Sequence, residues 1–180
     1  MTGKTHIAFN AAVAAALCSA GITNLHNPGA GTLIGGVMLG SLLPDIDSSN
    51  SKINHIIRRL LIPKGLRRAA SGAARSFSSF HHRKNITHWP LFWIAACMAL
   101  YMILRSYPPF PELFIGLAAG TTTHLLCDML NPYGILLLAP FSGKKFRIAS
   151  IPTNSMGEMI FLIASILISV ILAASTMKTL

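Results

Sequence analysis

The chain has 180 residues, of which 52% are hydrophobic and only 11% are charged, whereas soluble domains average about 25% charged residues. This composition excludes a disordered chain and disfavours a soluble domain. The charges are also unbalanced, because 15 Lys and Arg accompany 5 Asp and Glu and give a formal charge of +10. We therefore expect an anionic partner surface, either phospholipid headgroups or nucleic acid.

Five long apolar runs follow one another along the chain. They predict an all-α integral membrane protein, a compact bundle of about five transmembrane helices in a single domain over residues 1–180, with helices at about 7–22, 32–43, 89–104, 113–130 and 159–177. Only the last run comfortably reaches the ~20 residues that cross a hydrocarbon core of ~30 Å. The second run carries two glycine pairs at four-residue spacing, which allows close helix contact: Gly31 with Gly35, and Gly36 with Gly40.

Two other interpretations of these runs stay open. The first run follows Lys4 and resembles a cleavable signal peptide. The whole pattern is also compatible with a helical soluble protein that has a buried core, although the last run has no charge to place on a solvated face. The cysteines lie inside apolar runs and lack metal-type spacing, so we interpret them as reduced packing residues: Cys18, Cys97 and Cys127.

The basic residues predict how the bundle is oriented. With five crossings and a cytoplasmic N-terminus, all of the 15 Lys and Arg except Arg105 and Lys178 fall on the cytoplasmic side. Such an asymmetry is typical of cytoplasmic loops in membrane proteins. The sequence therefore predicts a multi-pass protein of the cytoplasmic membrane.

A basic loop over residues 48–84 separates the second and third predicted helices. Apolar residues recur there at helical spacing, from Ile53 to Leu61, with basic residues on the other faces. This pattern predicts an amphipathic segment that lies on an anionic phospholipid surface. A solvated loop that only enforces topology stays open. A nucleic-acid patch is less favoured, since no binding motif accompanies the charge.

Aspartates and histidines collect at the predicted cytoplasmic ends of the helices. All the aspartates and most of the histidines lie there, in four segments distant along the chain: His6; Asp45 and Asp47; His81, His82 and His88; and His124 and Asp128. Ionisable groups at membrane depth are costly and are usually functional. We therefore expect these segments to form one site at one membrane face.

The spacing of these residues favours metal binding. His124 and Asp128 are four residues apart on a predicted helix, so both side chains lie on one face and can hold one cation. Asp45 and Asp47 can turn toward one point. Mixed imidazole and carboxylate ligands favour Zn²⁺, Mn²⁺ or Fe²⁺ over Mg²⁺ or Ca²⁺. Three carboxylates with several imidazoles suffice for two ions, which can clamp both oxygens of an ester or phosphoester during cleavage.

Structural roles stay open for the same residues. The aspartate pair could cap a helix and pair with arginines, and His124 could simply hydrogen-bond Asp128 inside the bundle. His88 could anchor the membrane interface, and His6 could be incidental. Glu158, at the start of the fifth helix, could support the site or only complement the helix N-terminus.

Three strings carry a family resemblance: LLPDID at 42–47, HR at 82–83 with TH at 87–88, and HLLCDMLNPYG at 124–134, followed by Pro140. With the early His6, this combination resembles the LexA-regulated, inner-membrane metal-dependent hydrolase family (YdjM-like), from Met1 to about Glu158. The resemblance implies a bacterial inner-membrane protein with a divalent metal ion as its cofactor. It implies these metal ligands: His6, Asp45, Asp47, His82, His88, His124 and Asp128.

The resemblance also implies roles around the metal. Asp47 and Arg83 are the candidate catalytic residues, and Arg83 would hold an anionic group of the substrate. Thr87 and Asn131 would orient the ligands.

Two functions of different kinds follow. The first is a membrane-bound metal-dependent hydrolase that acts on a lipid or lipid-linked (phospho)ester at the cytoplasmic leaflet. The second is a non-enzymatic membrane protein, in transport or structure, with an Asp/His metal or hydrogen-bond network. A transporter more often carries ionisable groups near mid-membrane and an internal repeat, and the sequence shows neither.

Overall fold

The structure is a computed structural model that describes residues 1–23, 29–47, 86–107 and 110–178, without the side chains of residues 47, 110 and 178. Five α-helices make up most of these described residues. In the described part of the chain between the second and third of these helices there are two short 3₁₀ helices, at Leu43–Asp47 and Ile86–His88. The described residues contain no strand, so the all-α class is confirmed. The α-helices are α1 (Gly3–Ser19), α2 (Gly29–Gly40), α3 (Pro90–Leu104), α4 (Phe110–Met129) and α5 (Met156–Lys178).

The helices occupy the five apolar runs, but several begin or end about one turn earlier than predicted. The end of α2 matters most, because this helix stops at Gly40 instead of continuing to Leu43. Pro44 lacks an amide hydrogen and disfavours helical geometry in the residue before it. The chain therefore turns into the 3₁₀ helix that carries Asp45. The predicted basic loop over 48–84 lies outside the described residues.

The closest helix contact joins α2 and α4 through glycines on both sides. A Cβ atom on Gly36 would lie 2.6 Å from the Leu113 carbonyl oxygen, and one on Gly116 would lie 2.3 Å from that of Leu33. One turn further on, Gly40 and Gly120 repeat this arrangement. The two backbones therefore touch with no side chain between them. Of the two predicted glycine pairs, only the one at residues 36 and 40 is used, since the space beside Gly31 and Gly35 is open.

The last helix, α5, presents most of its apolar surface outward. It is the one described helix that is both long and apolar enough to cross a membrane, and only 11% of that stretch is buried. A core helix of a soluble protein would be mostly buried, so this exposure argues against the soluble interpretation. α2 and α3 are apolar but shorter, and the five crossings stay a prediction.

A buried carboxylate ties α5 to α1. Glu158 is 3% exposed and accepts hydrogen bonds from the Thr5 hydroxyl at 2.8 Å, from the backbone N–H of Thr2, and from the Asn154 N–H at 2.7 Å. These donors include the N–H of Thr2 at the start of α1, which has no acceptor within its own helix. Of the two roles left open for Glu158, the structure shows a structural one at the junction of the two helices.

The segment between α4 and α5 folds back under the end of α4. The N–H groups of Ile148 and Ile151 donate to the carbonyls of Met129 and Leu130, both at 2.8 Å. These bonds satisfy carbonyls that a helix C-terminus otherwise leaves open. Gly134, with a φ of +58°, makes the turn that leads into the Ile135–Phe146 bridge. The end of α4 that carries His124 and Asp128 is thereby held in place.

Candidate metal centre

The histidines and aspartates predicted from the sequence come from helix ends that meet at one end of the bundle. His6 comes from the first turn of α1, and Asp45 lies in the 3₁₀ helix after α2. His88 ends the 3₁₀ helix before α3, and His124 and Asp128 occupy the last turns of α4. His6, His88, His124 and Asp128 are each no more than 2% exposed. The structure thus brings five of the predicted ligands into one cluster.

The described nitrogen and oxygen atoms of the cluster face one another at 3.4–3.8 Å. His88 Nε2 lies 3.4 Å from Asp128 Oδ2 and 3.8 Å from Asp45 Oδ1, and His124 Nε2 lies 3.7 Å from each of the same two oxygens. On the other side of Asp128, Oδ1 lies 3.6 Å from His6 Nε2 and 3.7 Å from the Met1 nitrogen. N–H···O bonds are about 2.7–3.2 Å long, so these separations are all longer.

A shared cation fits these separations. Two atoms that bind one ion at about 2.0–2.2 Å are roughly 2.8–3.6 Å apart in octahedral or tetrahedral geometry. The observed range of 3.4–3.8 Å begins within this interval and ends slightly above it. A contraction of a few tenths of an ångström would therefore complete a coordination sphere.

The hydrogen bonding of His124 points to the same conclusion. Its Nδ1 lies 2.6 Å from the Ser41 carbonyl oxygen. A carbonyl can only accept, so Nδ1 carries the proton and Nε2 presents its lone pair. That Nε2 is buried and makes no hydrogen bond within the described residues. A buried lone pair without a donor is costly, whereas a metal ion would satisfy it, and the residues present fit a metal.

Two overlapping sets of possible ligands share His124. One consists of His6, His124 and Asp128, and the other of Asp45, His88 and His124. Within each set, the candidate ligand atoms all lie within 4.8 Å of one another. Asp128 Oδ2 also reaches both His88 and His124, so its carboxylate joins the two sets. The arrangement can hold one ion, or two ions bridged by Asp128.

Two polar side chains contact the candidate ligands and fix their orientation. The Asn131 side-chain amide donates to Asp128 Oδ1 at 3.1 Å, and the Thr87 hydroxyl lies 3.3 Å from His88 Nδ1. These are the two residues that the resemblance expects to orient ligands. Such outer contacts fix ring and carboxylate orientation, and losing them typically weakens metal binding by about 10–100-fold.

Asp45 marks the accessible side of the cluster. Its side chain is 24% exposed, whereas those of His88 and His124 are fully buried. Asp45 is therefore the most exposed of the five described ligands, and a catalytic metal site needs one accessible position of this kind.

Three predicted site residues lie outside this geometry. His82 and Arg83 fall outside the described residues, and so does the side chain of Asp47. Their roles stay predictions.

Sequence reasoning missed two supports of the cluster. The Ser41 carbonyl is a backbone group, which no side-chain pattern reveals. Asn10 donates to the carbonyl of His6 and accepts a hydrogen bond from Thr123, so it joins α1 to α4 beside the site. The sequence did contain a signal for the role of Asn10, since Asn10 lies one helical turn after His6 and its partner Thr123 directly precedes His124.

Comparison with known proteins identifies relatives over the whole chain. The model of a family described as "YdjM inner membrane protein" matches residues 1–180. An uncharacterized protein of Bacillus subtilis (strain 168), YvsG, is 31% identical over 163 residues, which is 90% of this chain and 88% of YvsG. No solved structure matches.

Proposed function

We propose that this chain, which belongs to the YdjM inner membrane protein family, is a membrane-bound metal-dependent hydrolase. Its substrate is a lipid or lipid-linked (phospho)ester at the cytoplasmic leaflet. The observation that carries the proposal is the cluster of three buried imidazoles with the carboxylates of Asp45 and Asp128, in which His124 is shared by both ligand sets. Imidazole and carboxylate ligands with an open side are typical of hydrolytic metal sites.

The chemistry follows from the donor set. A bound Zn²⁺, Mn²⁺ or Fe²⁺ ion would supply a hydroxide near neutral pH and polarise the ester or phosphoryl oxygen. Asp128 and His124 would hold this ion from the buried side, and Asp45 from the side where substrate arrives. Arg83 would bind the anionic group of the substrate, and Asp47 would act beside it as the second catalytic residue.

The proposed location follows from helix ends and charge. The cluster lies at the end of the bundle where α1 begins, and the distribution of basic residues favours a cytoplasmic location for this end. Lys144, Lys145 and Arg147 lie in the segment that follows α4 and would face the same anionic leaflet. Substrate and site would then meet at headgroup depth, with the protein crossing the membrane several times.

Asp128→Asn tests the proposal, with Glu158→Gln as the matched control. Both are buried carboxylates, at 2% and 3% exposure, but Glu158 belongs to neither ligand set. We expect the Asp128 variant to lose bound metal and at least 100-fold of hydrolytic turnover while it remains in the membrane fraction. The control is expected to keep both its metal and its turnover.

The measurements are elemental analysis of the purified protein and hydrolysis of vesicles that contain phosphatidylglycerol, phosphatidic acid or an isoprenoid phosphate. Full metal content in the Asp128 variant would refute the site. Metal that is bound by the wild type without turnover on any of these lipids would instead favour the structural or transport function.

A further inference from the structure

A large apolar groove lies between α3 and α4. Its volume is about 380 Å³, within the ~300–1,000 Å³ of small-molecule sites. Its walls include Trp93 and Cys97 of α3, and Phe114, Ala118 and Leu125 of α4. The hydroxyl of Thr121, which also lines it, is bonded to carbonyls of its own helix. The groove therefore offers hydrocarbon contact and almost no hydrogen bonding.

The groove exists because α3 packs loosely on the bundle. None of the residues of α3 is buried, in contrast to α2, whose glycines bring it into backbone contact with α4. Ile94 and Met98 line the groove and are 62% and 57% exposed. The gap thus opens on the outer surface of the bundle, between apolar side chains.

One end of the groove is lined by residues that neighbour the candidate metal ligands along the chain. Trp93 forms part of its wall. Its indole N–H donates to the carbonyl of Thr87 at 2.6 Å, and Thr87 directly precedes His88 in the chain. On α4, Thr121 and Leu125 line the groove and flank His124 in sequence. With 3.6 residues per turn, the groove residues and the ligands occupy adjoining faces of the helix.

We infer that this groove binds one hydrocarbon chain of a membrane lipid whose polar headgroup reaches the cluster at Asp45, the partly exposed carboxylate that lies 3.8 Å from His88. The lateral opening admits the chain from the bilayer, and the apolar walls exclude water around it. Bilayer and groove are both apolar, so the chain is held by packing contacts rather than by transfer out of water, and these contacts orient the lipid with its ester toward the ligands. The inference rests on the proposed function for the headgroup, but the groove itself requires no hydrolysis.

Fluorescence quenching of Trp93 tests this inference directly. The chain has two tryptophans, so Trp89→Phe leaves Trp93 as the sole emitter. The probe is phosphatidic acid with a dibrominated acyl chain, added at constant total lipid to the full chain in unbrominated detergent micelles. We expect quenching that saturates with the probe and is reversed by excess unbrominated phosphatidic acid.

Two variants in this background separate the groove from general lipid contact. Ala118→Phe fills the groove and is expected to weaken saturable quenching at least tenfold, and Cys97→Phe is expected to do the same from the opposite wall. Ala15→Phe is the matched control, because Ala15 lines a separate apolar cavity of about 280 Å³. Equal quenching in all three variants, or quenching that never saturates, would overturn the inference.

The groove and the hydrolase function fail in different ways. Saturable quenching without turnover on any lipid would reject the hydrolase and support the groove. Turnover that does not depend on the acyl-chain length of the lipid and is unchanged in Ala118→Phe would reject the groove and support the hydrolase.

Discussion

The imidazole rings of His6 and His124 are stacked, with centroids 4.0 Å apart and an interplanar angle of 11°. They come from the first turn of α1 and the last turns of α4, which are distant in sequence. The stack places His6 Nε2 next to Asp128 Oδ1, so α1 contributes to the site and does more than fill the bundle. Four predictions follow from this and from the other contacts of the cluster.

His6→Ala is expected to lower the metal content without abolishing it. His6 belongs to one ligand set, whereas His124 belongs to both, so His124→Ala is expected to remove all bound metal. Elemental analysis of the two purified variants measures the difference.

Asn10→Ala is the comparison for His6→Ala, since it removes a buried support of the cluster one turn along α1 but no imidazole. Its metal content is expected to fall less than that of His6→Ala. If the metal content of His6→Ala matched that of the wild type, His6 would have only a packing role.

The proton of His124 is expected on Nδ1. The Ser41 carbonyl at 2.6 Å accepts from this nitrogen, which leaves Nε2 able to bind metal. Solid-state NMR of ¹⁵N-histidine-labelled protein in lipid distinguishes the two tautomers by their ¹⁵N shifts, with His124→Gln identifying the signal. A signal from His124 protonated at Nε2 in the metal-loaded protein would contradict the proposed ligation.

Gly116→Ala is expected to destabilise the protein and to loosen the site. A Cβ here would lie 2.3 Å from the Leu33 carbonyl oxygen, and backbone atoms cannot move aside as a side chain can. Overpacking of this kind typically costs about 1–3 kcal/mol. Unfolding in a denaturing detergent measures the loss, and metal content measures the effect on the site.

The matched control is Gly35→Ala, on the side of α2 where the space is open. There the substitution is expected to be neutral or slightly stabilising, because alanine favours the helix by up to about 1 kcal/mol. Equal losses of stability at both positions would mean that α2 and α4 are not in backbone contact.

Removal of the metal by a chelator is expected to lower the melting temperature. An ion at 100 times its Kd stabilises the folded state by about 2.7 kcal/mol, and here it would join four helix ends. Thermal unfolding with and without EDTA, followed by restoration with Zn²⁺ or Mn²⁺, tests this. The Asp128→Asn variant is expected to melt at the same temperature in both conditions, and an equal EDTA effect in that variant would place the ion elsewhere.

The sequence predicted the clustering of Asp and His because two simple constraints act together. Alternating helices return every second helix end to the same face, and the basic residues identify that face. The four-residue spacing of His124 and Asp128 then follows from helix geometry, and the structure places Nε2 of the first 3.7 Å from the carboxylate of the second. Their role as metal ligands stays a prediction.

Other parts of the site depend on tertiary contacts that one sequence does not display. The pairing of Gly36 and Gly40 with Gly116 and Gly120 depends on which helices become neighbours, and Gly31 has the same four-residue spacing without a contact. Likewise, the bond from His124 to a backbone carbonyl depends on where α2 stops. Helix ends are set by local competition between turn types, so they shift by about one turn from the apolar pattern.

Because α2 and α4 touch through glycines, a displacement of one helix would be passed directly to the other. A slip of one residue between the helices would shift them by about 1.5 Å and rotate one by about 100° relative to the other. No flexible layer separates the two backbones, so nothing between them would absorb such an error before it reached Asp45 and His124. The positions of the candidate metal ligands therefore depend directly on the backbone contact between α2 and α4, and a change in either glycine pair would displace the whole site.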